Sequence, residues 1–348
     1  MIGELTGALS GIGKKTEWYE SPDGSKVLLL SPGGRILGLF APGSDENFIW
    51  ANPELEDAKT AAAVYAGDGW HNSGGDRTWL APELDIFFPD YPDVSRHWEP
   101  PQIDSDDYEI VQKGGGLALV KRLTLALARP KQEVVLRLTK TVYSAANPLR
   151  GEQGVALHGV QYAGYTLHTA FEILHSTGDG GFPLGIWNLI QLPHGGDMLV
   201  ATHFKTQPRV FFGSIPPENL IVTDHLVKFR CNFAGEHKIA VCAVALTGRA
   251  GYLWQSGHAW SLVIRNFSVN PSGDYVDCPA RDEEDLGYGF EAVSVDSALG
   301  KFCELEYHAP AISYPKNRQS HDFSQIWGFR GPLEAVRGVA HALLTPEF

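Results

Sequence analysis

The amino-acid sequence predicts an all-β fold in which many antiparallel strands form stacked, curved sheets. Segments of strand length, either apolar throughout or alternating, dominate the 348 residues. Turn signals rich in Gly, Pro, Asn and Asp separate nearly all of them. Only one segment has convincing helical spacing, and the chain shows no repeat, low-complexity tract or linker. We therefore expect a single domain over residues 1–348.

Two hairpins are the clearest local signals. Strands predicted at Lys26–Leu30 and Arg35–Phe40 flank a Ser-Pro-Gly-Gly turn, and strands predicted at 117–128 and 133–143 flank an Arg-Pro-Lys turn. Each pair of apolar runs is joined by a connection short enough for antiparallel pairing. These segments therefore indicate sheets in which strands that are consecutive in the sequence pair with each other.

Further strands and one helix complete the predicted elements. The strands are expected at residues 165–174, 184–192, 198–204, 210–212, 226–233, 238–246, 260–269, 302–308 and 323–329. The helix is expected at 332–344, where a proline stands in the first turn and apolar residues recur at helical spacing. Two long stretches, 41–107 and 270–297, are predicted to be loops, and loops of such length usually carry function or cover a site.

The charge of the chain excludes several classes of partner. Lys and Arg number 28 against 41 Asp and Glu, which gives a formal net charge of −13. This charge repels nucleic acid and anionic lipid surfaces, and no cluster of Lys or Arg offsets it. The sequence also lacks an apolar run of about 18 residues that could span a membrane. We therefore expect neither nucleic acid nor membrane as a partner.

The cysteines and the N-terminal residues indicate a cytoplasmic location. Cys231, Cys242, Cys278 and Cys303 form no C-x-x-C pair, and most lie in apolar, strand-like runs. Buried free thiols of this kind are typical of a reducing compartment. The first residues have neither a basic start nor a sustained apolar stretch, so they do not resemble a secretory signal.

The segment between Gly74 and Glu83 is the first candidate for a functional site. It combines two glycines with Asp76, Arg77, Trp79 and Glu83, and it closely follows His71. Each of these residues alone has a structural explanation, as a core aromatic or a loop ion pair. Together they suit ligand binding, because an Arg makes bidentate contacts and a Trp stacks on the apolar face of a sugar.

A pair of glutamates on a late strand is the second candidate. Glu304 and Glu306 are two residues apart, so both side chains face the same side of a strand with apolar neighbours. Two carboxylates on one packed face repel each other, and one of them should have a raised pKa unless a cation compensates. We expect at least one of the two to be shielded from solvent and bonded to a cationic or hydroxyl partner. Such a pair suits general acid/base catalysis.

Trp187 and Asn188 form a third candidate. They face opposite sides of a predicted strand, where Trp187 suits the core and Asn188 or Gln191 could bond a hydroxyl. The 13 histidines show no H-E-x-x-H or His-x-His spacing, so the sequence predicts no metal site, although ligands assembled in space remain an alternative.

Short matching pieces in order along the chain carry a family resemblance. They are Gly33-Gly34-Arg35-Ile36, the Gly75–Glu83 segment, Ile186-Trp187, Lys238-Ile239 and Glu304-Leu305-Glu306. With these pieces the chain resembles the galactose mutarotase-like (aldose 1-epimerase) superfamily, and especially its uncharacterised bacterial branch. The resemblance implies a β-supersandwich of large antiparallel sheets with a sugar cleft on the concave face.

The resemblance also implies roles for particular residues. In true epimerases a late-strand Glu is the base at the anomeric hydroxyl and a His protonates the ring oxygen, so Glu304 or Glu306 matches the base. The Asn-x-Leu-His-Gly-Gly segment of the epimerases is missing, and Trp187-Asn188 lies about where their His-x-Tyr-Phe-Asn strand would fall. His71 is our candidate for the acid. We expect Arg77, Trp79 and the two glutamates to line one cleft.

The function expected on this basis is aldose 1-epimerase-like catalysis on a small-molecule sugar or sugar derivative, with no cofactor. Asp76, Arg77, Trp79, Glu83, Trp187, Asn188 and Lys238 are the expected substrate-binding residues. Two alternatives remain open. One is a non-catalytic carbohydrate-binding protein, and the other is a lyase or hydrolase acting on a sugar acid whose carboxylate Arg77 and Lys238 would clamp.

Overall fold

The computed structural model describes residues 2–67, 70–151, 157–282 and 284–348. The strands, in chain order, are β1 (Thr16–Glu20), β2 (Lys26–Leu30), β3 (Arg35–Phe40), β4 (Asp76–Ala81), β5 (Glu109–Lys113), β6 (Gly116–Leu127), β7 (Gln132–Ser144), β8 (Gln161–Ser176), β9 (Phe182–Pro193), β10 (Asp197–Thr202), β11 (Arg209–Phe212), β12 (Leu220–Val222), β13 (Leu226–Arg230), β14 (Gly235–Val241), β15 (Leu246–Ser256), β16 (Ala259–Phe267), β17 (Phe290–Ser297), β18 (Gly300–His308), β19 (Ile312–Tyr314) and β20 (Gln319–Gly331).

The helices are short. They are α1 (Ile2–Gly11), α2 (Ala58–Val64), α3 (Glu83–Ile86), α4 (Pro101–Asp104) and α5 (Leu333–Leu343), and short 3₁₀ turns lie at Pro32–Gly34, Pro53–Glu56, Pro217–Asn219 and Ala243–Ala245. None of the described helices is long and apolar enough to cross a membrane.

The strands form two antiparallel sheets of ten strands each. The first sheet has the order β1-β2-β3-β4-β9-β18-β17-β14-β11, with β19 paired to β9, and the second has the order β12-β13-β10-β15-β16-β20-β8-β7-β6-β5. The inner faces of both sheets contribute to the largest hydrophobic cluster, which joins residues such as Leu189 and Leu305 to Leu136 and Tyr165. The all-β prediction is therefore confirmed, with two large sheets packed over a common core.

Alternation decides which residues enter that core. In the β6–β7 hairpin Leu123 lies opposite Leu136, and both are buried, whereas the neighbouring Arg122 and Arg137 are opposite each other and exposed. The single helix predicted near the C-terminus is also present, as α5. Its apolar face, with Val336 and Val339, covers the outer side of the second sheet.

Two predicted loops contain strands instead. The stretch 41–107 includes β4, and the stretch 270–297 includes β17. Both strands are buried on both faces over much of their length, so their sequences lack the alternation that marks a half-exposed strand. The structure also contains β1, β5, β12, β15, β19 and the helices α1–α4, which the sequence did not predict.

Candidate functional site

The centre of the site is the outer face of the first sheet, where β18 lies between β9 and β17. Side chains at every second position of β18 reach this face, beginning with Phe302 and continuing through Glu304, Glu306 and His308. Glu304 pairs in register with Gln191 on β9 and with Val293 on β17. Alternation thus delivers both glutamates to the same surface, as the sequence predicts.

A pocket of about 880 Å³ opens over this face. Among the described residues, its lining includes Arg77, Trp79, Glu83, Trp187, Lys238, Glu304 and Glu306, all of which the sequence singled out. Residues that are far apart in the chain therefore meet because β4, β9, β18 and β14 contribute to one sheet. The expected common cleft of Arg77, Trp79 and the two glutamates is confirmed.

Glu304 is held by a cation and an amide. The Nη1 atom of Arg77 lies 2.8 Å from Oε1 of Glu304, and Nε2 of Gln191 donates a hydrogen bond of 2.7 Å to the same oxygen. The Arg77 guanidinium lies over the Trp79 ring, 4.3 Å from its centroid. The prediction that at least one glutamate is shielded and has a cationic partner is therefore confirmed.

Arg77 keeps Glu304 ionised. Burial alone would raise the pKa of Glu304, but the positive charge of Arg77 outweighs it, together with hydrogen bonds from Glu306 and Gln191. The pKa of Glu304 is therefore lower than its ordinary value of 4.5. Near neutral pH this group is a carboxylate.

The pKa of Glu306 is shifted in the opposite direction. Its Oε2 accepts a hydrogen bond of 2.9 Å from Nε1 of Trp187 and lies 3.6 Å from Nζ of Lys238. Burial raises the pKa of Glu306 well above 4.5, and the charges of Glu304 and Glu291 raise it further, against the opposing effect of Lys238. The two carboxyl groups share one face of β18 and influence each other, and the opposite directions of their pKa shifts favour the proton on Glu306 rather than on Glu304.

A second layer of charges lies beside Glu306. Lys238 Nζ is 2.6 Å from Glu291 Oε2, and Nε2 of His308 is 3.4 Å from the same oxygen. Burial would raise the pKa of Glu291, but Lys238 and His308 lower it to about 2. Burial would lower the pKa of Lys238, but Glu291 and Glu306 raise it well above its ordinary range. The ammonium group is therefore charged and fixed between two carboxyl groups.

This layer also contains the candidate metal ligands found among the described residues. Asp277, Glu291 and His308 bring potential ligand atoms within 4.8 Å of one another, and all three are buried. The ammonium of Lys238 already contacts Glu291 at 2.6 Å and supplies positive charge there. Burial, with the charges of Glu291 and Glu83, raises the pKa of Asp277 well above its ordinary value, which favours its neutral form. The negative charge of this group is therefore reduced by the protein itself, through the Lys238 ammonium beside Glu291 and the neutral form favoured for Asp277.

Aromatic rings form the wall beside the carboxyl pair. Trp79 packs edge-on against Trp187, with ring centroids 5.4 Å apart, and lies 4.6 Å from Phe87. Trp79 is only 8% exposed and belongs to the main hydrophobic cluster, so it presents a small part of its surface to the pocket. Trp70, at the pocket edge, is more accessible and packs against Trp79.

A histidine between two glutamates lies at the rim of the pocket. Nε2 of His97 is 3.2 Å from Glu83, and its Nδ1 is 3.4 Å from Glu99. Burial would lower the pKa of His97, but hydrogen bonds and charge interactions with both glutamates raise it to about 9. His97 and Glu99 were not singled out from the sequence, because their segment has no strand or helix periodicity. Only the fold brings this segment back beside Glu83.

Asp76, Asn188 and His71 do not line this pocket. Asp76 follows the alternation of β4 to the inner face, where its Oδ2 lies 3.0 Å from Arg265 and accepts a hydrogen bond from Tyr165. The Asn188 side chain likewise reaches the inner face, opposite to the face that carries Trp187.

Buried hydroxyl groups satisfy the hydrogen-bonding atoms of the Asn188 amide. His71 lies outside the pocket. The Asn188 amide donates to Tyr307 Oη and accepts from Thr78. His71 is placed near Asp104, with Nδ1 3.8 Å from Oδ2. The structure thus separates these three predicted site residues from the carboxyl pair. It uses Gln191, which the sequence suggested as a partner for a hydroxyl, to hold Glu304, and it adds Glu291, which the sequence did not indicate.

The family model described as "Family of unknown function (DUF6786)" matches residues 20–347. The chain belongs to this family. A search of the curated proteins found no match.

Solved structures show which fold this member of the family has. A galactose mutarotase-like protein from Lactobacillus casei ATCC 334 is 11% identical, covers 90% of this chain and 100% of its own, and superposes with a TM-score of 0.53. A galactose 1-epimerase from Lactobacillus acidophilus NCFM is 10% identical over 92% of this chain and 99% of its own, with a TM-score of 0.43. The fold is galactose mutarotase-like, as the resemblance implied.

Proposed function

We propose that this protein is a carbohydrate-acting enzyme that uses Glu304 and Glu306 as an acid–base pair at the anomeric centre of a sugar, in the manner of an aldose 1-epimerase. The observation that carries the proposal is the pair itself. Two carboxyl groups at alternate positions of β18 line one pocket, one beside Arg77 and the other beside Trp187, and their pKa values are displaced in opposite directions. Such a difference assigns the ionised group as base and the protonated group as acid.

The reaction can be written with every proton accounted for. The Glu304 carboxylate takes the proton of the anomeric hydroxyl, and the Glu306 carboxylic acid gives its proton to the ring oxygen. The bond between the anomeric carbon and the ring oxygen breaks, which leaves an open-chain aldehyde. After rotation about the neighbouring carbon–carbon bond, the ring hydroxyl adds to the other face of the aldehyde. Glu306 then recovers its proton, Glu304 returns the other, and no cofactor is consumed.

The surroundings of the pair support sugar binding. The half-buried Trp70 offers ring surface for the apolar face of a sugar, and Trp79 adds the small part of its ring that reaches the pocket. Glu306 takes the role of acid that the sequence suggested for His71, because His71 lies outside the pocket. The galactose mutarotase-like fold supports a sugar as the ligand class, although function depends on the site rather than the fold.

The geometry speaks against the sugar-acid alternative. A clamp for a substrate carboxylate needs a cation whose charge is free. Arg77 already pairs with Glu304, and Lys238 already pairs with Glu291. An added carboxylate would face these glutamates at close range, so its binding would be opposed by like charge.

The proposed setting of this reaction is a single domain in the cytoplasm. One core shared by both sheets supports a single domain over residues 1–348. The absence of C-x-x-C pairs and the burial of Cys231 and Cys303 support a reducing compartment. The formal charge of −13 supports a small sugar rather than nucleic acid as the partner.

An anomerisation assay tests the proposed function. Freshly dissolved single anomers from a broad panel of aldoses are followed by proton NMR with wild-type protein, Glu304→Gln and Glu306→Gln. The surface variant Glu172→Gln is the matched control, because its side chain is 41% exposed, lies outside the pocket and contacts Arg137 and Gln319. We expect wild type and control to accelerate equilibration of at least one sugar. Binding of several sugars with acceleration of none would instead support a non-catalytic carbohydrate-binding protein.

A further inference from the structure

The two groups that hold Glu304 act on it in different ways. Nη1 of Arg77 lies 2.8 Å from Oε1 of Glu304, but neither Nη1 nor Nε of Arg77 makes a hydrogen bond to a described residue. Nε2 of Gln191, by contrast, donates a hydrogen bond of 2.7 Å to the same oxygen. Arg77 therefore supplies positive charge, which acts in every direction, and Gln191 supplies a directed bond.

The buried amide of Gln191 is explained by its bond to Glu304. Gln191 lies directly opposite Glu304 in the register of β9 and β18. Its side chain is fully buried, and its carbonyl oxygen Oε1 has no hydrogen-bond partner among the described residues. A buried carbonyl without a partner destabilises a fold, so stability alone would favour an apolar side chain at this position.

The bond to Gln191 also decides which oxygen of Glu304 is presented to a ligand. Arg77 and Gln191 both contact Oε1. A carboxylate is rigid and planar, so a fixed Oε1 fixes the position of Oε2 as well. Glu304 lines the pocket, and its side chain is 7% exposed there. Oε2 is therefore the oxygen that the protein leaves for a ligand.

Strand β9 orients the second carboxyl group in the same manner. Trp187 lies on the same face of β9 as Gln191, and its Nε1 donates a hydrogen bond of 2.9 Å to Oε2 of Glu306. Each member of the carboxyl pair is thus held at one oxygen by an uncharged donor from this strand.

We propose that Gln191 is a positioning residue for the base, because its amide fixes Oε1 of Glu304 so that Oε2 takes the proton of the anomeric hydroxyl. In ring opening the O–H bond of this hydroxyl breaks, its electron pair forms the C=O bond, and the proton passes to Oε2. Without the amide, the carboxylate can rotate to pair through both oxygens with the guanidinium of Arg77, and Oε2 is then no longer free. This inference rests on the proposed function, since Gln191 acts through Glu304.

Kinetic measurements on Gln191→Leu and Gln191→Met, which both lack a donor, test the inference with a sugar that wild type turns over. Loss of a hydrogen bond to the ionised form raises the pKa of Glu304, so the acid limb of kcat/KM should move to higher pH. A stronger base alone would raise kcat at a pH above the acid limbs. We expect kcat there to fall about 10- to 100-fold instead, with little change in KM, because the carboxylate is misplaced.

Gln132→Leu is the matched control for the loss of a buried amide. Gln132 is buried and lies outside the pocket. Its amide donates a hydrogen bond of 3.1 Å to the Gly180 carbonyl and accepts one of 2.8 Å from Ser176. The control should lower the free energy of unfolding in urea and leave both kcat and the acid limb unchanged.

The outcomes separate this inference from the proposed function. If wild type turns over a sugar and the Gln191 variants keep its kcat, with or without a shift of the acid limb, Gln191 does not position the base and the proposed function stands. An equal fall in kcat for Gln132→Leu would trace the effect to the loss of any buried amide and would also overturn the inference. If wild type accelerates no sugar, the proposed function fails, and the inference fails with it.

Discussion

Arg77 and Glu304 form a buried ion pair on the pocket floor, with Nη1 of Arg77 2.8 Å from Oε1 of Glu304. The two residues come from β4 and β18, which are not neighbours in the sheet, because β9 lies between them. Gln191 on β9 completes the bridge by donating to the same carboxylate oxygen. The pair therefore ties three strands together at the point where the proposed base must stay ionised.

Removing one partner of this pair should be costly. Arg77→Met leaves Glu304 buried without its cation, and Glu304→Leu leaves Arg77 in the same condition, so we expect each to lower the free energy of unfolding by about 3–5 kcal/mol. The double variant should lose much less than the sum of the two, because it leaves neither charge unpaired. Urea denaturation of the four proteins gives the coupling energy. Additive losses would show that the two charges do not interact.

Conservative replacement of either carboxyl group should separate chemistry from folding. Glu304→Gln and Glu306→Gln keep nearly the same side-chain shape, so sugar binding should survive while turnover falls by about 10²–10⁴. Steady-state rates and calorimetric affinities for the responsive sugar measure the two effects, with Glu172→Gln as the control. Full activity in both Gln variants would rule out this acid–base pair.

The free energies of unfolding of the same two variants, each taken relative to wild type, should change in opposite directions as the pH rises. Above about 4.5, the unfolded Glu306 carboxyl is ionised while the folded one keeps its proton, so rising pH lowers the free energy of unfolding until the folded pKa is reached. Glu306→Gln lacks this loss, and its stability relative to wild type should rise with pH in that window.

Glu304 should show the reverse behaviour. Its folded pKa lies below 4.5, so the stability from its ionised form is fully present above about 4.5 and is lost as the pH falls through the folded pKa. Glu304→Gln should therefore be less stable than wild type above that value, and the difference should shrink in acid. Urea denaturation over a pH series measures both trends. Parallel pH profiles for the two variants would contradict the assignment of the proton to Glu306.

The sequence predicts much of this site because alternation on a strand is a local rule. The spacing of Glu304 and Glu306 is enough to place both on one face, and the same rule explains why Asp76 and Asn188 turn away from Arg77 and Trp187. It does not reveal that the Gly74–Glu83 segment is a strand. Two adjacent glycines favour a loop, and β4 is buried on both faces, so no alternation marks it.

Other parts of the site depend on contacts between distant strands, which no local sequence pattern predicts. Glu291 lies in a segment predicted to be a loop, and it reaches the site only because β17 pairs with both β14 and β18. Lys238 could be assigned as a clamp for a ligand anion from its charge alone. Its 2.6 Å contact with Glu291 shows that this charge is already used within the protein.

The histidine at the pocket rim should titrate in an unusual range. The two glutamates beside His97 raise its pKa to about 9, although solvent reaches more than a third of the ring and weakens each interaction. The stability that this charged ring adds is present below its ordinary pKa of 6.5 and is lost as the pH rises through about 9. An NMR titration of the His97 ring should show a midpoint near 9, and Glu99→Gln should lower it. A midpoint at the ordinary value would show that these contacts are absent in solution.

The aromatic wall should respond differently at its buried and accessible members. Trp79 contacts Trp187, Phe87 and Arg77 and is 8% exposed, so Trp79→Ala opens a cavity in the main core as well as weakening sugar binding. We expect it to lower the free energy of unfolding by about 3–5 kcal/mol. Trp70 contacts Trp79 at a ring distance of 6.3 Å, has the Arg77 guanidinium 5.5 Å from its ring centre, and is half-buried. Trp70→Ala should therefore cost less stability than Trp79→Ala and weaken sugar binding by about 1–3 kcal/mol through lost stacking and burial. Urea denaturation and calorimetry on both variants measure the difference, and equal losses of stability would contradict the placement of Trp79 in the core.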